Sequence, residues 1–276
     1  MTDISRHPCF SNQAHGRYGR MHIPCAPKCN LNCAFCGRGV DDGSRQLPGR
    51  TVQIVRPEQV QAYVAARLAE HPGIVVLGIA GPGEPLFNPE TFCVLEILQR
   101  EFPQYPLCVG TNGCFLPENV DRLRALGVKT VTVTVNTLRP EVSERLNPWV
   151  IGANGQKLEG IQGGEYLIRR QLEGIRLAAA AGMAVKVNTV YVPGFNSGEM
   201  RDIAAAVRTL GASIMNVMPL QPAGRLSHLQ VPLSDEIHSV RRSLEGIIPQ
   251  FYRCTQCRAD ACGIPQKGKI SLECVK

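Results

Sequence analysis

Short runs of β-branched and aliphatic residues alternate along this chain with longer amphipathic stretches. The runs are residues 20–24 (RMHIP), 74–81 (IVVLGIAG), 106–111 (PLCVGT), 129–136 (KTVTVTVN), 184–192 (AVKVNTVYV) and 213–220 (SIMNVMPL). They read as strands apolar on both faces, as buried parallel strands are. Helical periodicity fills the intervals at about 58–70, 90–101, 118–126, 163–181, 197–210 and 234–245. Several of these open on Pro, Ser or an acidic residue, as in RPEQV, NPETF, LPENV and LSDEI. Several close on glycine, at Gly127, Gly182 and Gly211. Six strand–helix units demand a parallel sheet with right-handed crossovers. They fit an α/β fold of the partial (β/α)6 TIM-type barrel kind better than a flat sheet, although periodicity alone does not separate the two. Residues 147–164 read as a Gly-rich insertion. The last 30 residues lose the βα rhythm and read as a cysteine-bearing tail folded back on the domain. The expected organisation is an N-terminal extension, 1–20, a core, 21–246, and the tail, 247–276.

A chain of 276 residues, 44% hydrophobic and 19% charged, can bury a large core, which excludes global disorder. The longest uncharged apolar stretch, 177–185, contains Gly182, stops at Lys186 and is too short to span a bilayer. The opening MTDISRHPCF has no apolar segment of a secretion signal, so a cytoplasmic protein is expected. The net charge of +7 is mild and scattered, with Arg169-Arg170 and Arg241-Arg242 the densest pairs. Neither a nucleic-acid partner nor a membrane is expected.

Cysteine changes the picture. There are 12, and in a chain without a secretion signal disulfides explain them poorly. Metal sites, catalytic thiols and inert buried thiols remain, and clustering favours metal for most. Cys29, Cys33 and Cys36 form C-x3-C-x2-C directly after the first strand. Three thiolates so close together can hold three irons of a cubane and leave the fourth iron open, and the spacing is not that of a zinc finger. Gly81-Pro82-Gly83-Glu84-Pro85 ends the second strand. Its glycines allow close backbone approach, and its carboxylate can accept hydrogen bonds from an amino group. Val135 and Asn136, and Val187 and Asn188, lie at C-terminal strand ends, where βα folds bind ligands. Core packing or turn capping explains those four equally well. Cys254 and Cys257 form a C-x2-C, and with Cys262 and Cys274 a self-contained four-cysteine zinc site is a rival reading.

The cysteine loop, with Phe35 before its last cysteine and six βα units around it, resembles the radical S-adenosylmethionine (SAM) superfamily. That resemblance implies a [4Fe–4S] cluster on Cys29, Cys33 and Cys36. It also implies SAM contacts from Phe35, Gly81, Gly83, Glu84, Val135, Asn136, Val187 and Asn188. The strings HPCFSNQAHGRYGRMHIPCAPKCNLNCAFC, GIAGPGEPL, TNGCFLP, TVTVNTLRPEV, NPWV, QLEGI, VKVNTVYVPG, NVMPL and CTQCRADA resemble, more closely, the NifB family. Its members build the iron–sulfur–carbide precursor of nitrogenase cofactors. The similarity spans about residues 7–263.

The NifB resemblance implies that Cys9, Cys254 and Cys257 ligate one auxiliary cluster and that His22 and Cys108 ligate another. It implies that two [4Fe–4S] clusters fuse around a SAM-derived carbide to give an 8Fe-9S-C product. It implies transient partners: an iron–sulfur cluster donor, an electron donor and a cofactor-carrier protein. It implies an oxygen-free setting and a stand-alone form without a carrier domain. Two departures stand out. The family's cysteine six residues after the third loop cysteine is Asp42 here, in a loop about two residues shorter, and a glutamate usual just beyond has no match. Cys25 and Cys114 are extra; either one replaces the missing ligand, or both pack in the core. Cys93, within ETFCVLEIL, is expected in the core. Two other functions stay open: a paralogue with one auxiliary cluster acting on another substrate, and a cluster scaffold that no longer cleaves SAM.

Overall fold

The computed structural model describes residues 4–44, 46–254 and 256–265. Six parallel strands form the body: β1 (Gly19–His22), β4 (Ile74–Ile79), β5 (Leu107–Thr111), β6 (Val128–Thr134), β9 (Ala184–Tyr191) and β10 (Ile214–Pro219). They pair in the order β10-β9-β6-β5-β4-β1, and β10 does not return to pair with β1. The sheet is therefore an incomplete α/β barrel of the expected class. Short β11 (Cys262–Gly263) adds to it antiparallel, with Arg20 opposite Gly263 and Met21 opposite Cys262. The tail thus covers an edge that β1 would otherwise leave unpaired.

The helices α1 (Val60–Glu70), α2 (Pro89–Glu101), α3 (Leu116–Ala125), α5 (Gly160–Ala180), α6 (Met200–Thr209) and α7 (Ser234–Leu244) follow the strands in turn. Their apolar stripes share one core with alternate strand residues, among them Leu77, Val109, Val131, Val185 and Val217. Each such side chain, fully buried, contributes about 1.5–3 kcal/mol. The other strand residues face inward. Arg20 and His22 on β1, Cys108 on β5, Thr132 on β6 and Lys186 and Asn188 on β9 all line an interior cavity. Most strands thus carry polar groups inward, while β4, with Val76 and Gly78 on the cavity wall, is apolar on both faces as the sequence suggested. The period of two gives each strand one side toward the helices and one toward the cavity.

The stretch read as a Gly-rich insertion is structured. Helix α4 (Pro140–Leu146) precedes a hairpin of β7 (Trp149–Ile151) and β8 (Lys157–Glu159). This unit braces the cysteine loop: Ala34 N–H donates to Leu146 O (2.7 Å), and Ile151 N–H donates to Asn30 O (2.8 Å). The parallel two-residue strands β2 (Gly39–Val40) and β3 (Arg50–Thr51) follow the loop.

Candidate iron–sulfur and SAM site

The segment that leads into the Cys29–Cys36 loop is held by the turn after β4. Gly83 N–H donates to Ala26 O (2.6 Å) and Glu84 N–H to Lys28 O (2.9 Å). Asn88, fully buried, clasps Lys28 from both sides: its Nδ2 donates to Lys28 O (2.8 Å) and its Oδ1 accepts from Lys28 N–H (3.1 Å). Gly83 is required by proximity, since a Cβ there would lie 2.1 Å from Lys28 O. Gly81 is required by conformation, with φ at +139°. The close approach made by Gly83 is therefore to the backbone that leads into the cysteine loop.

Glu84 is buried at the cavity wall. Its carboxylate accepts from Thr111 Oγ1 (2.5 Å), Asn112 N–H (2.6 Å) and Leu86 N–H (3.1 Å). Burial pushes its carboxyl up to about 7, against the pull of those three donors. Asn112 Nδ2 in turn donates to Asn30 Oδ1 (2.7 Å), inside the cysteine loop. Asn30, Asn88 and Asn112 were not legible as functional residues; the nearest signal was the TNG turn after β5.

Two adjoining cavities open on the concave side, of about 340 and 250 Å³. They share Cys33, Phe35 and Cys36, while Cys29 lines the larger. The smaller reaches Asn136, Gln171 and Asn147. The larger reaches Cys9, His22, Cys108, Cys254 and Cys257. The structure thus gathers both sequence-predicted cysteine sets around one space, although Cys9 and Cys257 lie far apart in the chain.

The donor chemistry fits a cluster. Burial, then Glu84, pushes the Cys29 thiol up to about 11, and burial, then the neighbouring Cys36 and Cys29, pushes the Cys33 thiol well above the ordinary thiol range. Cys29 and Cys33 therefore stay protonated unless a cation stabilises them as thiolates. Arg38, with Nη1 3.9 Å from Cys36 Sγ, adds one positive charge at the rim. Among the described residues no three His, Cys, Asp or Glu side chains are grouped as ligands of a single metal ion.

In the deeper part, burial raises Cys9 to about 12. Burial, then Arg20, lowers His22 to about 4, so its ring is neutral at neutral pH. His22 Nδ1 lies 3.3 Å from Arg258 O. A carbonyl only accepts, so Nδ1 carries the proton and Nε2 keeps its lone pair for a metal. Arg258 is itself locked by Asp260 (3.0 Å) and Asp41 (2.9 Å), which ties the segment after Cys257 to the loop after β2.

Other predicted residues lie elsewhere. Val135 and Val187 are packed in the helix-facing core and do not line either cavity, whereas Asn136 and Asn188 do. Neither Cys25 nor Cys114 lines either cavity. Cys25 is buried in the main core, 3.9 Å from Thr91 Oγ1 on α2. Cys114 is buried among Leu31, Val150 and Leu167. Cys25 thus lies on the packing side of its segment, while the cluster that holds Cys114 also packs against Cys29 and Cys33. Asp42 is exposed, accepts from Ser44 N–H and is not on the cavity wall. Cys93 is exposed on α2, not in the core, because it falls on the outer face of that helix. Cys262 is buried in the main core and does not line the cavity that Cys254 and Cys257 line. Cys274 lies outside the described residues.

The barrel, the cysteine loop and the glycine-rich turn against it define a class of enzyme, and comparison with known proteins agrees. The radical SAM superfamily profile matches residues 23–207, and the chain belongs to that superfamily. Among solved structures, Streptococcus suis SuiB superposes with a TM-score of 0.58 at 13% identity, over 86% of this chain and 50% of that one. Methylornithine synthase (PylB) superposes at 0.52 and 16%, over 89% and 66%. At such identities these likenesses speak for the fold alone.

Sequence relatives narrow the class. The FeMo cofactor biosynthesis protein NifB of Methanocaldococcus jannaschii is 41% identical over 272 residues, 98% of this chain and 90% of that protein. NifB of Methanocaldococcus infernus is 39% identical over 274 residues, 99% and 90%. NifB of Klebsiella pneumoniae is 41% identical over 267 residues, 94% of this chain and 56% of that longer protein. Within the superfamily the chain belongs to the NifB family. Among the described residues no helix is long and apolar enough to cross a membrane.

Proposed function

We propose that this protein is a radical SAM enzyme of FeMo cofactor biosynthesis that fuses two [4Fe–4S] clusters around a SAM-derived carbide, giving an 8Fe-9S-C product. The observation that carries the reading is the shared cavity: Cys29, Cys33 and Cys36 open on the same space as Cys9, His22, Cys108, Cys254 and Cys257. A resident cluster on Cys29, Cys33 and Cys36, with SAM bound, supplies reductive one-electron cleavage of SAM. The chain's own residues do the rest by position. Gly83 and Asn88 set the height of the cysteine loop, and Glu84 fixes the Thr111-Asn112 turn beside it. Phe35, Asn136 and Asn188 line the space next to the loop, where SAM would lie.

The two clusters to be fused are substrates. One sits on Cys9, Cys254 and Cys257, the other on His22 and Cys108. Neutral His22, with its tautomer set by the Arg258 carbonyl, is a weaker and more releasable ligand than thiolate, as a substrate cluster requires. A cluster donor, an electron donor and a carrier for the product would be transient partners.

One observation favours a second reading, a paralogue with one auxiliary cluster and another substrate. Asp42 lies off the wall and neither extra cysteine reaches it, so the second site has only His22 and Cys108 of the predicted ligands. Iron and sulfide counted after anaerobic reconstitution, with electron paramagnetic resonance (EPR) spectra with and without SAM, decide between them. About twelve irons per chain, with one signal perturbed by SAM, support carbide-core synthesis. About eight or fewer irons transfer the assignment to the paralogue. Formation of 5′-deoxyadenosine from SAM eliminates a mere scaffold.

A further inference from the structure

Lys186 is the feature of the barrel interior that the ligand set does not explain. It stands on β9 between Val185 and Val187, which face the helices, so its own side chain faces the cavity. It is 4% exposed. Its Nζ donates to Cys9 O (2.9 Å) and lies 5.1 and 5.3 Å from the ring centres of Phe10 and Phe251. Among the described residues no carboxylate forms an ion pair with it. A buried ammonium held only by a carbonyl and two aromatic faces is costly and is offset when an anion arrives.

Two more nitrogen donors share this wall. Arg20, also buried, donates from Nη2 to Cys257 Sγ (2.9 Å) and from Nη1 to Gly263 O (2.7 Å), while its buried Nε has no hydrogen-bond partner. His7 Nδ1 accepts from Cys9 N–H (3.1 Å), which places the ring proton on Nε2, and that atom too is buried without a partner. This is the opposite tautomer to His22, so His7 is built to donate rather than to ligate. Glu84, already engaged by three donors, is the one carboxylate among the described residues that lines the larger cavity.

We infer that Lys186, supported by Arg20 and His7, is a positioning residue whose positive charge anchors an anionic iron–sulfur unit at the Cys9, Cys254 and Cys257 wall. A dicationic cubane core held by the three thiolates of Cys9, Cys254 and Cys257 is a net anion. Coulomb attraction is strong where water is excluded and has no geometric preference among sulfides. A cation can therefore keep hold of the unit while individual thiolate or imidazole bonds exchange. The inference rests on the proposed function and adds to it the group that retains the cargo.

The test uses the full-length chain carrying Cys29→Ala, Cys33→Ala and Cys36→Ala, so that any iron bound is auxiliary. After anaerobic reconstitution, iron loss to a chelator is followed by absorbance and EPR. Lys186→Met and Lys186→Gln are each expected to lose auxiliary iron at least tenfold faster than the parent. Lys186→Arg is expected to keep the parent's rate, since it restores charge. The glutamine variant retains a donor for Cys9 O, which separates charge from local folding. A parent that binds no iron overturns the proposed function and this inference with it. An iron-loaded parent from which both neutral variants release iron at the parental rate overturns the inference alone. So does an arginine variant as leaky as the neutral ones.

Discussion

Replacing Gly83 by alanine tests how the cysteine loop is set. The new Cβ would stand 2.1 Å from Lys28 O, 2.6 Å from Lys28 C and 2.9 Å from Ala26 O. All three are backbone atoms, so no rotamer change relieves the clash; the strand end or the loop must move by about 1 Å. That movement also strains the Gly83–Ala26 and Glu84–Lys28 hydrogen bonds. Overpacking costs about 1–3 kcal/mol, and two weakened hydrogen bonds about 1 kcal/mol each. The sum, about 3–5 kcal/mol, corresponds to a melting point lower by about 6–10 °C in a chain of this length. Cys29 follows Lys28 directly, so the first thiolate moves with the clash. Gly83→Ala is therefore expected to lose about four irons per chain on reconstitution, together with the SAM-perturbed EPR signal. Gly246→Ala is the control, because nothing lies within 4 Å of a Cβ there. It is expected to melt within about 0.5 kcal/mol of wild type. A Gly83→Ala protein with wild-type iron and a melting point within about 2 °C of wild type would refute the close-approach argument.

Cys25→Ala and Cys114→Ala, singly and together, are expected to leave iron and sulfide counts unchanged and to cost about 1–2 kcal/mol each in denaturant unfolding, as buried truncations do. Loss of about four irons from either variant would restore it as a ligand. Glu84 gives a pH signature in the metal-free chain. Its folded value, about 7, is raised above the ordinary 4.5, so between these pH values the folded state holds a proton that the unfolded state has released. Stability from this group is full below pH 4.5 and falls by up to about 3 kcal/mol as pH rises to 7. His7 and His22, lowered to about 3 and about 4, slope the opposite way. The measurement is therefore the difference in unfolding free energy between wild type and Glu84→Gln across that range. A flat difference curve would show that Glu84 does not titrate as its burial requires.

The elements most legible in the sequence were those with strong local periodicity. All six parallel strands and their six helices lie where the alternation placed them, with ends shifted by a few residues. Helix α4 and the β7–β8 hairpin were not legible. They are seven and three residues long, and their reason for being is a surface, the cysteine loop, that lies more than a hundred positions earlier. The two-residue β11 was equally invisible, since it exists only because the β1 edge is there to receive it.

By itself the sequence determined the repeating βα architecture, the cysteine loop and the glycine turn, because each depends on neighbours a few residues away. Spacing and backbone conformation act locally, so the order of residues is enough to specify them. Only the tertiary structure decided which cysteines share a space. It brought Cys9, Cys108 and Cys257 to one cavity, and sent Cys25, Cys114 and Cys262 to the core and Cys93 to the surface. The physical reason is the alternation of sides along a strand and around a helix, read against a sheet whose curvature no short window contains. One residue's shift in register exchanges a ligand for a packing atom. The buried Lys186 shows the same limit: within AVKVN it is one inward position among several, and inside the barrel it is a charge without a carboxylate beside the wall that carries Cys9.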